Sequence, residues 1–253
     1  GISGYAWSRD GRRIAFTSTT PLPDEKAALP SDPEPASKQA KPPYVTERLR
    51  TRNDGTPGWQ TPKRTHLWVV DLEAGPKAEA KRITHGDYDD RDPQWTADGA
   101  RLVFSGVRKP NADYVANDTE LYLVPADGSA EPRALTSRRG PDETPVISPD
   151  GRYVAYTGYD DREPPASYSQ TRLYLLDLKS GASRPLAVGF DRGINDGAIS
   201  DSGAPRGDGV RLVWRADSKG VYFVSADRGQ VQLYEATLDG RWSQLTRLAQ
   251  GEV

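Results

Sequence analysis

The sequence predicts an all-β chain: four four-stranded antiparallel sheets, the blades of a β-propeller, lying as consecutive sectors of a larger ring. Two repeats and one turn type carry this reading. The segments AWSRDGRRIAFTS from Ala6, QWTADGARLVFSG from Gln94, VISPDGRYVAYTG from Val146 and VWRADSKGVYFVS from Val213 resemble one another. Their anchors Trp7, Trp95, Ile147 and Trp214 lie about 88, 52 and 67 residues apart, a blade period once loop insertions are allowed. A second set follows them: HLWVVDLEAG from His66, ELYLVPADGS from Glu120, RLYLLDLKSG from Arg172 and QLYEATLDGR from Gln232.

Taken in order, each unit opens on an aromatic or apolar residue that closes an innermost strand. Asp10-Gly11, Asp98-Gly99 and Asp150-Gly151 then turn the chain, because glycine takes positive φ without a Cβ clash. Ile14 and Phe16, like Leu102 and Phe104, alternate with their neighbours at period two, as a half-buried second strand requires. The His66, Glu120, Arg172 and Gln232 runs supply third strands. KRIT at Lys81, PRALT at Pro132 and WSQLT at Trp242 supply short fourth strands, and RPLA at Arg184 is the weaker match of the third unit. The blades fall at about 1–86, 87–137, 138–188 and 189–253, with breaks expected near Asp87–Pro93, Arg138–Pro145 and Gly189–Gly209. A single sheet cannot bury both faces; radial packing buries them and protects the strand edges. The repeated Trp, Tyr and Leu positions therefore read as core rather than as a ligand box.

Composition narrows the function. With 34 basic and 36 acidic residues in 253 there is no broad field to steer nucleic acid or an anionic membrane. The absence of cysteine removes disulfides, thiolate metal sites and a cysteine nucleophile, and fits a reducing, cytoplasmic setting. No apolar run is long enough to span a bilayer, and no signal-peptide pattern is present. With no methionine anywhere, the chain reads as processed or cut from something longer.

Function should sit on one face. The first-to-second and third-to-fourth turns are short and share a face. The opposite face carries the second-to-third loops and the blade-to-blade links, and long loops there are where binding residues concentrate. The insertion from Thr17 to Lys63 holds a Pro-rich stretch and then VTERLRTRNDG, whose alternating Arg48, Arg50 and Arg52 either meet a carboxylate or protect an edge strand with charge. Two acidic segments, HGDYDDRDPQW from His85 and TGYDDREPP from Thr157, add Tyr88, Asp89, Asp90, Tyr159, Asp160 and Asp161 as substrate- or domain-facing candidates. Asp87, Asp89, Asp90 and Asp92 miss the spacing of a calcium loop, so no metal and no cofactor is expected. His66 and His85 are the only histidines, and no G-x-S-x-G elbow occurs, so no catalytic residue is assigned.

RLRTRNDG, HLWVVDL, GDYDDRDPQWTADGARLVF, NDTELYLVPADG and PVISPDGRYVAYTGYDD together resemble the propeller of the prolyl oligopeptidase family of serine peptidases, its acylaminoacyl-peptidase branch above all. The S-P-D-G repeats alone are shared with TolB-like propellers. The resemblance implies a ring of about seven blades that caps a C-terminal α/β-hydrolase domain with a Ser-Asp-His triad, and that admits peptides while excluding folded proteins. It implies peptide substrates as partners, leaves a homo-oligomeric parent open, and gives no role to nucleic acid or membrane. The hydrolase domain is absent from these 253 residues, so the family's catalytic residues map to no position here. A free-standing TolB-like propeller for protein–protein interaction is the alternative. An enzyme with a site on the propeller axis ranks behind both, because the inner strands offer mostly apolar residues.

Overall fold

The structure, a computed structural model, describes residues 1–21, 63–110, 112–115, 118–160, 169–194 and 212–247. It contains four four-stranded antiparallel sheets, each in simple meander order. The first comprises β1 (Ile2–Trp7), β2 (Arg13–Pro21), β3 (Lys63–Asp71) and β4 (Lys81–Arg82). The second comprises β5 (Asp90–Trp95), β6 (Arg101–Gly106), β7 (Glu120–Pro125) and β8 (Arg133–Ala134). The third comprises β9 (Asp142–Ile147), β10 (Tyr153–Gly158), β11 (Arg172–Asp177) and β12 (Ser183–Pro185). The fourth comprises β13 (Leu212–Trp214), β14 (Gly220–Asp227), β15 (Gln230–Thr237) and β16 (Trp242–Gln244).

Period-two alternation becomes the packing between blades. Leu102 and Phe104 of β6 join Ala15, Leu67 and Val69 in a core between the first two blades. Val103, on the opposite face of the same strand, joins Val154, Tyr156 and Leu176 between the second and third. A third core, with Leu173, Phe190, Phe223 and Tyr234, joins the third and fourth. Cross-strand aromatic pairs recur at one register: Phe104–Tyr122, Tyr156–Tyr174 and Phe223–Tyr234 stack with centroids 5.4–5.6 Å apart. Such pairs add stabilisation beyond their buried area. Among the described residues no core joins the fourth blade to the first, and no ring closure is seen; Ile2, Tyr5 and Trp7 lie exposed on the first innermost strand.

The Asp-Gly turns are wider than two-residue hairpins. Gly11, Gly99 and Gly151 have φ of 70°, 66° and 74°, whereas the preceding aspartates do not adopt positive φ. Each glycine N–H donates to the carbonyl three residues earlier, on Ser8, Thr96 and Ser148. The same three hydroxyls donate to Asp10, Asp98 and Asp150 at 2.5–2.6 Å and accept the N–H of Arg13, Arg101 and Tyr153. These bonds hold the three aspartates below the usual carboxylate range, although burial opposes the shift at Asp150. Gly151 is also an interblade contact: a Cβ there would lie 2.5 Å from Ala97 Cβ, whereas at Gly11 it would meet nothing. Gly151→Ala should therefore lower the melting temperature more than Gly11→Ala, which carries only the left-handed backbone cost of about 1–2 kcal/mol. Thermal melts of the two variants check this, and equal shifts would remove the steric argument.

Two boundaries differ from expectation. Asp90–Pro93 and Asp142–Pro145 belong to the innermost strands β5 and β9, so the blade-to-blade links end before them. The cause is a bulge. Asp92 (φ 53°) and Thr144 (φ 49°) break the pairing register, and the strand continues beyond them toward the loops. Likewise β2 runs on to Pro21, which pairs with Lys63, so the strand absorbs residues assigned to the loop.

Candidate functional site

The long-loop end of the second and third blades is built from charge. Asp90 pairs with Gly106 in β6, and Asp142 pairs with Gly158 in β10, at the same register. Glycine is required at both places: a Cβ on either would come within 2.9 Å of the aspartate's Oδ1. Arg108 donates from Nη1 to Asp90 Oδ1 at 2.9 Å and Oδ2 at 2.7 Å, and its guanidinium lies 4.8 Å from the Tyr88 ring centre. His66 Nδ1 lies 3.8 Å from Asp90 Oδ2, and both side chains are fully buried.

In the third blade the charges exchange places. Asp160 stands two residues after Gly158, as Arg108 stands after Gly106. The cation is Arg138, which donates to Asp142 and, at 2.5 Å, to Asp160, and lies 4.0 Å from the Tyr174 ring centre. Burial acts to lower the Arg138 pKa, but its hydrogen bonds to the Asp160 and Asp142 carboxylates, and their charge, outweigh it and hold the pKa raised. Burial outweighs the Arg138 attraction at Asp142 and raises that carboxyl.

Beside these pairs the innermost strands open into a polar cleft of about 430 Å3. Its walls include Arg64, Asp89, Arg91, Asp92, Asp113 and Glu143, with Ser105, Thr119 and Thr144 among them. Arg64 is nearly buried and donates to Asp87 (2.5 Å), Asp89 (3.3 Å) and Asp113 (2.8 Å). Burial opposes its charge, and its hydrogen bonds to Asp87 and Asp113 outweigh burial to raise its pKa. Arg91 and Glu143 occupy matching positions on β5 and β9, opposite Ser105 and Thr157. Both are exposed, and no ion pair engages either among the described residues. Asp92 accepts from Ser105 Oγ at 2.8 Å, and Glu143 Oε1 from Thr119 Oγ1 at 3.3 Å. Thr144, on the cleft wall, holds a left-handed φ that a β-branched residue rarely adopts, and such strain gathers at functional sites.

The predicted residues divide accordingly. Asp89 lines the cleft and also accepts the Thr65 N–H at 2.8 Å. Asp90 is sealed beneath Arg108 and cannot contact a ligand as the structure stands. Tyr88 packs on Arg108, Asp160 is exposed on Arg138, and Tyr159 is half-buried. Arg48, Arg50, Arg52 and Asp161 lie outside the described residues. Arg91 and Glu143 escaped sequence reasoning, and Asp92 entered it only as a calcium ligand that was set aside, because the strand bulge at Asp92 and Thr144 is not displayed in the sequence. Among the described residues no group of three or more His, Asp or Glu side chains is placed to hold a metal, and no helix is long and apolar enough to cross a membrane.

Antiparallel four-stranded blades packed radially around repeated aromatics define a β-propeller, and the comparisons narrow its kind. No protein-family model matches the chain. Dipeptidyl-peptidase 5 of Porphyromonas gingivalis is 22% identical over 98% of this chain and 34% of its own length. The uncharacterized peptidase YuxL of Bacillus subtilis is 28% identical over 95% of this chain and 35% of its own. The chain thus spans about a third of the length of these relatives. Uncomplexed acylaminoacyl peptidase of Pyrococcus horikoshii superposes with a TM-score of 0.60 at 17% identity, over 97% of this chain and 32% of that one. A putative TolB from Agrobacterium tumefaciens gives 0.56 at 19%, over 98% of this chain and 63% of that one. Together the matches support a propeller domain of the prolyl oligopeptidase family. TolB-like propellers share its architecture.

Proposed function

We propose that the chain is the non-catalytic propeller module of a prolyl oligopeptidase-family serine peptidase of acylaminoacyl-peptidase type. In this reading it gates and selects peptide substrates for an α/β-hydrolase domain carried elsewhere in a longer cytoplasmic protein. The observation that carries the reading is the alignment: nearly all of this chain matches about a third of a peptidase. The polar cleft at the long-loop end adds to it, because 430 Å3 suits a peptide end and is far too small for a folded protein. The second reading, a TolB-like module for protein–protein interaction, draws on the TolB matches.

Fluorophosphonate labelling separates the two. The 253-residue chain should take up no label, because no serine in it has a nucleophile elbow. The protein made from the complete gene should be labelled at one serine outside these residues and should cleave peptides. Stoichiometric labelling within the 253 residues, or an unlabelled complete protein, would count against the peptidase reading.

A further inference from the structure

One buried carboxylate oxygen lacks a donor at the joint between the second and third blades. Asp142 is fully buried; its Oδ1 accepts from Arg138 Nη2, and its Oδ2 has no hydrogen-bond partner among the described residues. An ionised oxygen left dry and unpaired is costly. Arg138 offsets only part of that cost, because it also donates to Asp160 at 2.5 Å and to the Tyr174 hydroxyl at 3.0 Å. Across the joint, Glu120 of β7 is 3% exposed and accepts from Lys109 at 3.2 Å, while Lys109 also serves Asp118. Lys109 and Arg138 thus serve four carboxyls. Burial raises both Asp142 and Glu120 above the usual carboxylate range, and the Asp142 charge adds to the rise at Glu120. Tyr156 and Tyr174 also face Asp142, but burial pushes both hydroxyls up, so they stay neutral and bring no countercharge.

Thr136 links the two buried acids. Its Oγ1 accepts the Leu121 N–H at 2.9 Å, donates to Glu120 Oε2 at 2.8 Å, and also stands beside Asp142. A hydroxyl has one proton and two lone pairs. Glu120 takes the proton and Leu121 one lone pair. The remaining lone pair can serve Asp142 only if Oδ2 carries a proton of its own, and that same proton removes the excess negative charge.

We propose that Asp142 takes up a proton as the medium turns mildly acidic, bonds through Oδ2–H to Thr136 Oγ1, and so completes a relay from Asp142 through Thr136 to Glu120 that fastens the third blade to the second. The device adjoins the cleft: the Asp142 N–H donates to Thr119 O at 2.7 Å, and Thr119, Glu143 and Thr144 all line the wall. It does not depend on the peptidase reading. An aspartate whose pKa is raised by folding binds its proton in the folded chain before the unfolded chain does. Stability therefore grows as pH falls through the raised value, and the gain is complete below the ordinary value of about 3.9.

Urea unfolding of the 253-residue chain and of Asp142→Asn across this window tests the device. From about pH 7 to about pH 5 the folding constant of the parent should rise about tenfold relative to that of Asp142→Asn, within the ceiling of about 100-fold that one proton sets over two pH units. Comparing the two chains cancels the other titrating groups, which they share. Asparagine places an N–H donor where the protonated acid would place its O–H, so the variant should fold at neutral pH at least as well as the parent. A carbon-13 titration of the parent, read at the Asp142 carboxyl carbon, keeps the test decisive if the variant fails to fold. That carbon should titrate at least about one pH unit above exposed aspartates. Equal pH dependence in the parent and Asp142→Asn, or an Asp142 carbon that titrates together with exposed aspartates, would overturn the proposal.

Discussion

Arg108→Met should destabilise the chain by about 3–5 kcal/mol, because it strands a charge inside the protein. Asp90 has no solvent exposure and both of its carboxylate oxygens accept from Arg108 Nη1. Removing the guanidinium leaves that carboxylate beside Gly106 and His66, where no other Lys or Arg forms an ion pair with it among the described residues. Neutralising both partners is the control. Asp90→Asn with Arg108→Met should recover a large part of the loss, since a buried pair contributes far less than the cost of breaking it. Urea unfolding of the single and double variants reads both numbers. A single variant within about 1 kcal/mol of the parent would mean that water reaches Asp90. The matching pair in the third blade should be more forgiving, because Arg138 is partly exposed and Asp160 shares it.

The repeat made the blades legible, because strand alternation and positive-φ glycine are local properties that sequence displays directly. Ile14 and Phe16, Leu102 and Phe104, and the Asp-Gly turns all stand where alternation places them. The fourth blade shows how far the local signal stretches: Arg215 replaces the serine or threonine, Ser218 replaces the glycine at φ 59°, and the turn persists because Asp217 still accepts the Lys219 N–H at 3.0 Å. A second conserved device was visible only in part. Thr84, Thr136 and Thr246 end the fourth-strand motifs, and each hydroxyl accepts a backbone N–H of the facing third strand, on Leu67, Leu121 and Leu233. In the weak third repeat Ala187 stands there and that side-chain bond is lost.

The cleft was less legible because its residues come together through register. Asp89 and Asp90 are neighbours in sequence, yet one lines the cleft and the other is sealed behind Arg108, since successive residues entering a strand point to opposite sides. Acidic density drew attention to the whole GDYDD run, and density alone cannot tell a ligand-facing carboxylate from a buried one. Arg91 and Glu143 lie 52 residues apart, the spacing of the anchors Trp95 and Ile147, but the repeat does not display the bulge in each strand that accompanies their place on the cleft wall. The exchange of Arg108 for Asp160 at equivalent places is hidden for the same reason, because the compensating partner comes from a different segment in each blade.

The repeated tryptophans give the second large effect, and it separates two residues that the sequence alone treats as equals. Trp95 is 7% exposed, and its Nε1 donates to Ala6 O on the preceding blade at 3.0 Å beneath the Arg13 guanidinium. Trp214 repeats this two interfaces on, between the fourth blade and the third: its Nε1 donates to Val146 O at 2.9 Å, and Tyr153 stacks on it in place of the arginine. Trp7 holds the same position in the first blade but is 55% exposed, with Ile2 and Tyr5 beside it, because no sheet packs on that side among the described residues. Trp95→Ala should therefore cost about 3–5 kcal/mol in the 253-residue chain, as expected of a large aromatic leaving a packed interface. Trp7→Ala should change stability by less than about 1 kcal/mol, within the range of surface substitutions. In a longer protein whose ring places a further blade against the first, a carbonyl at the Ala6 position of that blade would meet Trp7 Nε1, and the two costs should converge. Chemical denaturation of both variants in both lengths reads the difference. Equal costs in the short chain would show that the first sheet is already covered, and the open arc would then be wrong.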